Sequence, residues 1–466
     1  MAKSLAEHAT AERPSGGGLG ALVSRVLDNP AFAKLLKTST LIFGARLLGA
    51  VLGFGTQVAL ARLLGADALG TFYLALSLAG VMGILCGLGY PAITSRFVAE
   101  YRAEDKLDVL RAFVATTRRD TLLVALALLL LFGAGLMLWL GGSPELQLCL
   151  LIGALTAPAF AFVRLNGALA NAYRRFALSY LPDLLARPAL FLAAMAVLVA
   201  AQVNVTVAQL LAINLVIVVG VTAFQAARIR RTRVEDHLAE ASAPQDRSDT
   251  KARGGQWRRH ALPMVVVALF TALFADFAML NLGLVLPTGD IAVFGVCLKV
   301  ALLMGFGIQV IHQLVLPDAA DAHVRGDKAG LGAILRRANL VTTAACVAGT
   351  LTLVFIGDRI LTVFGEEFVQ GHTALIILSL SQAVRAAAGP SPQVLTLAGQ
   401  ERASIPVFGT CLVVMAGLCA GLGMLYGLEG AAVAVLLVTL IWSTWLSAIA
   451  SRAAGVQIAI VGKRLS

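Results

Sequence analysis

Apolar runs long enough to cross a lipid bilayer recur along almost the entire chain, and short polar breaks separate them. A membrane-spanning helix needs about 20 consecutive, mostly apolar residues. The runs that satisfy this requirement predict helices at 39–62, 69–95, 120–141, 146–169, 183–202, 206–227, 261–285, 289–316, 338–356, 370–397, 404–426 and 429–451. The pattern therefore indicates an all-α polytopic membrane protein with about twelve transmembrane helices.

Lysine and arginine occur mainly in alternate breaks between these predicted helices. The breaks rich in basic residues are 96–119, 171–187, 228–260 and 317–337. The breaks without lysine or arginine are 63–68, 141–145, 201–206, 286–290 and 426–430. Because basic loops stay on the cytoplasmic side, we expect a multi-pass protein of the cytoplasmic (inner) membrane with both termini in the cytoplasm.

The longest internal polar stretch divides the predicted helices six and six, as a linker between two lobes would. A weak repeat accompanies this division. An offset of 222 residues places Asp105-Lys106 on Asp327-Lys328, in corresponding basic breaks, and chance is the competing explanation for this match. An even number of helices per half preserves orientation, which favours a parallel pseudo-repeat. We expect a cytoplasmic N-terminal tail at 1–37, an N-lobe at 38–227, an inter-lobe linker at 228–260, a C-lobe at 261–452 and a C-terminal tail at 453–466.

Composition narrows the function classes. Hydrophobic residues make up 59% of the 466 residues and charged residues only 14%, whereas a soluble domain carries about a quarter charged residues. The net charge of +11 would suit nucleic acid, but its placement follows membrane topology, so we expect no nucleic-acid partner. No nucleotide-binding or zinc-protease motif occurs, and the isolated histidines, His312 included, are predicted to be interfacial. We expect a protein that is not an enzyme and that holds no cofactor or metal.

Arginines fall well inside three predicted helices, at Arg46, Arg164 and Arg385, where an ionisable side chain facing lipid costs at least ~2.5–3.5 kcal/mol. Arg164 lies nearer the cytoplasmic end of its helix, so both snorkelling to the interface and a functional role are open for it. Arg46 shares a helix face with glycines and Gln57, which predicts a position facing a cavity; snorkelling to the inner surface is the alternative. Arg385 shares a polar face with Gln382, in a helix that Pro390 interrupts. Broken helices are typical of transport sites, although a kink used only for packing would give the same pattern.

Asp276 and Lys299 are predicted at matching depth in adjacent antiparallel helices, about 17 Å from the turn at Pro287. Two interpretations are open. A structural ion pair would neutralise both charges inside the membrane. Alternatively, protonation of Asp276 would couple transport to a proton or cation and free Lys299 for an anionic substrate. Both interpretations place the two side chains within salt-bridge reach in at least one state.

Several stretches resemble the polysaccharide-export and lipid-linked oligosaccharide flippase branch of the multidrug/oligosaccharidyl-lipid/polysaccharide exporter superfamily. They are ARLLGADALGTFYLALSL (61–78), GLGYPAITSRFVAEY (87–101), GDRILTVFGEEF (357–368) and AAAGPSPQVLTLAGQERA (386–403). The resemblance implies two six-helix lobes, alternating access, and movement of a polyprenyl-diphosphate-linked oligosaccharide to the outer leaflet for polysaccharide biosynthesis. The implied partners are an anionic lipid-linked glycan, membrane lipids, and the polysaccharide polymerase and export machinery.

A diphosphate cargo agrees with the net positive interior. Arg46, Gln57, Lys299, Gln382 and Arg385 are the predicted substrate-binding residues, and Asp276 is the coupling candidate. A cation-coupled small-molecule extrusion transporter is the alternative, and it would favour acidic residues in the N-lobe cavity. The first two predicted helices contain none there. A glycan polymerase or ligase would need a larger outer loop than the sequence offers.

Overall fold

The computed structural model describes the backbone of residues 30–138, 143–235 and 247–459 and the side chains of 44–138, 143–231 and 253–459. Most of the predicted tail 1–37 lies outside these ranges. Every regular element within them is helical: α1 (Pro30–Gly87), α2 (Tyr90–Ala103), α3 (Leu107–Leu138), α4 (Pro144–Ala172), α5 (Phe176–Leu181), α6 (Arg187–Ala200), α7 (Val207–Glu235), α8 (Arg247–Leu282), α9 (Thr288–Val324), α10 (Lys328–Thr362), α11 (His372–Ala388), α12 (Ser391–Leu397) and α13 (Ser404–Ala454). A π-helical turn, Pro182–Ala186, joins α5 to α6, and 3₁₀ turns occupy Glu366–Gly371 and Glu401–Ala403.

Two of these helices, α1 and α13, are hairpins. Gly65 in α1 has φ 74° and ψ 177°, a conformation essentially restricted to glycine. Tyr73 donates a hydrogen bond of 2.7 Å to Gln57 across this turn, although a continuous helix would separate them by about 24 Å. In α13 the turn lies at Gly427, with φ 59°. Each hairpin therefore contributes two antiparallel arms.

The described residues form twelve spans, in agreement with the prediction. Nine helical segments are long and apolar enough to cross a membrane. Two of these contain the hairpins and count twice, and α11 with α12 supplies one more broken span. The spans divide six and six, with the same order and orientation in each half. The turn after α2 and the turn after α9, which hold Asp105 and Asp327, are equivalent positions of this parallel pseudo-repeat.

The two lobes meet along α1, α8 and α9. In the first lobe α1 packs on α4, and α4 packs on α7. In the second lobe α11 packs on α10 and α13, and α13 also packs on α8. Phe72 of the first lobe and Met279 and Phe294 of the second belong to one continuous buried cluster. The inter-lobe surface is therefore closely packed over part of its length.

We call the side of the bundle that holds the turns 104–106, 173–175, 325–327 and 398–400 the basic side. On the opposite side, where the hairpin at Gly65 lies, several contacts join the lobes. Arg62 donates hydrogen bonds to the carbonyl oxygens of Thr362 at 2.6 Å and Val363 at 2.9 Å. Thr288 donates to a carboxylate oxygen of Asp67 at 3.3 Å. These bonds join the two lobes on the opposite side.

The helices extend into the range predicted as the inter-lobe linker. Helix α7 continues to Glu235, and α8 begins at Arg247. The residues 236–246 lie outside the described part of the chain. The basic residues that suggested a loop therefore lie partly on helical extensions of the membrane spans.

Candidate functional site

Lys299 lies at the junction of three helical segments from both lobes. Its Nζ donates a hydrogen bond of 2.8 Å to Oε1 of Gln57, and it sits 3.5 Å from the centre of the Tyr73 ring. The same Gln57 oxygen accepts the 2.7 Å hydrogen bond from Tyr73. The ammonium is thus held by a neutral oxygen and an aromatic face, both of which stabilise a cation without neutralising it.

Asp276 is bound to a different neutral group. Ser77 of α1 donates a hydrogen bond of 3.0 Å to its Oδ1. Asp276 and Lys299 interact through their charges, but among the described residues Lys299 is bound by Gln57 and Asp276 by Ser77. The two side chains form no salt bridge in this arrangement. Contact between them in another state stays a prediction.

Arg385 occupies the last turn of α11, directly before a break in the span. Helix α11 ends at Ala388, and Gly389, with φ 75°, leads into α12. The half-buried guanidinium lies beside Gly305 of α9, with 3.5 Å between Nη1 and the position that a Cβ would take. It makes no hydrogen bond or ion pair with any described residue. A cation held inside a membrane bundle without a counter-charge is costly, which suits a site awaiting an anion.

The polar surroundings of Arg385 are also incompletely bonded. Oε1 of the buried Gln382 has no donor within the described residues, and Nε2 of Gln382 donates only to Ser381 at 3.3 Å. His312 of α9 is 8% exposed, lies within electrostatic range of Arg385, and has an unbonded Nε2. His312 is thus buried between helices, and its position at the level of the membrane interface stays a prediction. It stands near the end of a predicted helix, where sequence alone could not show that α9 continues for another two turns.

Arg46 joins the two lobes near the basic side. Its Nη1 donates a hydrogen bond of 3.2 Å to Oε1 of Gln313 in α9, and its guanidinium lies 6.0 Å from the centre of the Tyr180 ring. Gly305 and Gln313 are eight residues apart on α9, or about 12 Å. Arg46 from one lobe and Arg385 from the other thus flank one stretch of α9. Neither arginine has an acidic partner within the described residues.

The sequence analysis did not predict a further inter-lobe contact. Arg258 of α8 donates hydrogen bonds of 2.7 and 2.9 Å to the two carboxylate oxygens of Asp120 in α3. The hydroxyl of Tyr90 donates to the same carboxylate at 2.7 Å. Arg258 belongs to the range predicted as linker, so its charge was attributed to membrane topology alone. Since the pairing partners are 138 positions apart, no local spacing could have revealed this contact.

No described group of three or more His, Cys, Asp and Glu side chains could hold a metal ion. The polar side chains that the described residues bring together between the lobes include the cations Lys299, Arg46 and Arg385, the amides Gln57 and Gln382, and the carboxylate of Asp276. The cations and amides of this set can bind an anion through hydrogen bonds and exchange partners without a covalent bond being made or broken.

Comparisons with known proteins agree with this architecture. The profile of a family described as "Polysaccharide biosynthesis protein" matches residues 35–317. An inward-facing multidrug resistance MATE family transporter of the MOP superfamily superposes with a TM-score of 0.70 at 14% identity, covering 87% of this chain and 95% of that one. The lipid II flippase MurJ in an inward closed conformation gives 0.66 at 15% identity, covering 87% and 86%.

A MOP superfamily transporter from Pyrococcus furiosus, described as having a binding pocket of reverse polarity, gives a TM-score of 0.57 at 13% identity and covers 88% and 94%. At these identities the superpositions show a shared fold. None of the curated proteins matches the sequence. The family match includes the motifs at 61–78 and 87–101, whereas those at 357–368 and 386–403 lie beyond it. The match and the shared fold confirm the resemblance found in the sequence.

Proposed function

The chain belongs to the polysaccharide biosynthesis protein family, and from this we propose that it is a flippase for a polyprenyl-diphosphate-linked oligosaccharide. In this proposal the cargo crosses the cytoplasmic membrane by alternating access and supplies polysaccharide synthesis on the far side. The basic side of the bundle faces the cytoplasm, because loops rich in lysine and arginine are retained there. The polysaccharide polymerase and the export machinery would receive the product.

The observation that carries this proposal is the unpaired Arg385 guanidinium in the bundle interior. Its fork of donors matches the oxygens of a phosphate, and a low-dielectric site strengthens such a contact. Arg46 brings a second guanidinium from the other lobe to the same stretch of α9. A diphosphate bound by one arginine of each lobe would draw the lobes together around the cargo headgroup.

Release on the far side requires the opposite side to open. The bonds from Arg62 to the end of α10, and the bond between Thr288 and Asp67, would have to break in that step. All of these involve neutral acceptors or exposed side chains. Each of these bonds has a charged partner, Arg62 or Asp67, and such bonds contribute about 1.5–3 kcal/mol net, a loss that the contacts of the bound cargo would have to offset.

Asp276 supports a second candidate function, cation-coupled extrusion of small molecules. Asp276 is an acidic side chain in the interior of the bundle, near Lys299. The hydroxyl group of Ser77, which donates a hydrogen bond to it, does not neutralise its charge. In the flippase proposal the same carboxylate would take up a proton or a cation during each cycle. In an extruder of cationic compounds it would bind the substrate directly, although the interior cations, including Lys299 and Arg164 in its own surroundings, oppose that role.

Glycan export in cells tests the proposal. Arg385→Ala and Arg46→Ala should each abolish export while the protein remains folded and inserted, since about 1.5–3 kcal/mol is lost with each charged hydrogen bond. Arg→Lys variants should retain partial activity, because lysine keeps the positive charge but lacks the paired donors of the planar guanidinium group. The exposed Arg337 on α10 offers a matched control, and Arg337→Ala should export normally. Wild-type export by Arg385→Ala at normal protein levels would overturn the role of this residue.

A further inference from the structure

A large apolar groove opens in the N-lobe outside the inter-lobe site. Its volume is about 1250 Å³. The walls come from the first arm of α1, from α5 and α6 with the π-helical turn between them, and from α7. Leu48, Leu190 and Phe224 are among the large exposed side chains of these walls. The apolar side chains of the groove offer contact area and no hydrogen bonds, so its body suits a hydrocarbon chain.

The end of the groove on the basic side is positively charged. Arg174 and Arg175, in the turn before α5, and Arg228, near the end of α7, all line it. None of the described residues that line it is acidic. Three arginines at the mouth of a hydrocarbon groove are complementary to an anionic headgroup attached to a long apolar chain.

The geometry favours a diphosphate over an ordinary phospholipid headgroup. A phosphodiester carries one negative charge and a glycosyl diphosphate carries two, so the latter makes fuller use of three guanidinium groups. The groove also adjoins the candidate site. Ala45 and Tyr180 line its wall, and Arg46, next to Ala45, lies over the Tyr180 ring and reaches Gln313 of the other lobe.

We propose that this groove is a loading site that holds the polyprenyl chain of the cargo, with its diphosphate at Arg174, Arg175 and Arg228, before the headgroup passes to Arg46. The inference rests on the proposed function. The π-helical turn Pro182–Ala186 supplies Pro182, Leu185 and Ala186 to the wall. Such turns interrupt helical packing and are frequent at functional sites.

Gly220 allows the groove to be filled without disturbing the fold. It lines the groove, and a Cβ added there would meet nothing within 4 Å. Gly135 on α3 has the same open surroundings and lies outside the groove, so Gly135→Leu is the matched control for Gly220→Leu. For the charges, Arg231→Gln is the control for the pair Arg174→Gln and Arg228→Gln, because Arg231 is exposed on α7 without lining the groove.

Binding of undecaprenyl diphosphate to the full-length protein in lipid nanodiscs, followed by native mass spectrometry, tests the proposal. Gly220→Leu and the double arginine variant should each bind about tenfold more weakly, a change of about 1.4 kcal/mol. Both controls should bind as wild type does. Phosphatidylglycerol at equal concentration should leave undecaprenyl diphosphate bound.

Wild-type binding by Gly220→Leu, or equal displacement by phosphatidylglycerol, would overturn the loading site. Export of glycan by wild-type cells would then still support the proposed function. Conversely, if the protein binds undecaprenyl diphosphate in the groove but exports no glycan, the result would support the loading site and contradict the proposed function. The two failures are therefore distinguishable.

Discussion

Nζ of Lys299 lies 2.8 Å from Oε1 of Gln57, and this hydrogen bond links the two lobes in the interior of the bundle. The ring of Tyr73, 3.5 Å from Nζ, covers the other side of the ammonium. A carboxylate would have neutralised Lys299 more effectively, yet the nearby Asp276 is bound to Ser77. Lys299 thus contacts both arms of α1 from the other lobe.

Lys299→Met should abolish transport while keeping or raising thermal stability. A charge inside a membrane bundle costs at least ~2.5–3.5 kcal/mol if uncompensated, and methionine preserves the length and packs well on an aromatic ring. Glycan export and the melting temperature of the purified protein measure the two effects. Lys328→Met, at an exposed position, is the control. A large drop in melting temperature, or undiminished transport, would show that Lys299 is a structural residue.

Asp276→Asn should uncouple transport from an imposed ion gradient. Asparagine keeps an acceptor for Ser77 but can no longer gain or lose a proton or bind a cation as a carboxylate does. Transport in proteoliposomes, with and without a proton or sodium gradient, measures the response. Ser77→Ala keeps the carboxylate and should still respond. If Asp276→Asn responds like the wild type, coupling passes through another group.

Gly65→Ala should destabilise the protein by about 1–3 kcal/mol, because its backbone conformation is essentially closed to other residues. Gly53→Ala is the matched change in the same helix. A Cβ at Gly53 meets nothing within 4 Å, and alanine is favoured over glycine in helices by about 0.8–1.0 kcal/mol. The melting temperatures should therefore move in opposite directions. Equal effects would contradict a hairpin that depends on Gly65.

Cysteine labelling should place the basic side in the cytoplasm. A cysteine at Glu429, exposed on the opposite side, should react with an impermeant maleimide added to intact cells. A cysteine at Gln256, exposed near the start of α8, should react only after the membrane is permeabilised. All six native cysteines are buried, so background labelling should be low. The reverse pattern would contradict the orientation.

The spans were predictable from sequence because each is an apolar run of nearly fixed length. The hairpins were predictable for the same reason, although the sequence did not single out Gly65 as the position of the turn. The partners of the interior charges were not predictable. Matching depth suggested that Lys299 would face Asp276, but which face of a helix meets a neighbour depends on tertiary packing, and Lys299 binds Gln57 instead. The contacts of Arg258 and His312 likewise depend on distant segments.

Transbilayer movement in proteoliposomes tests the central claim most directly. The purified protein would be reconstituted with a fluorescent polyprenyl-diphosphate-linked oligosaccharide, and its passage to the other leaflet would be followed by a headgroup-specific enzyme or quencher. We predict movement well above that of protein-free vesicles, slowed about tenfold or more by Arg385→Ala and less by Arg385→Lys. A rate equal to that of empty vesicles, together with active accumulation of a cationic dye, would contradict the flippase proposal and establish small-molecule extrusion.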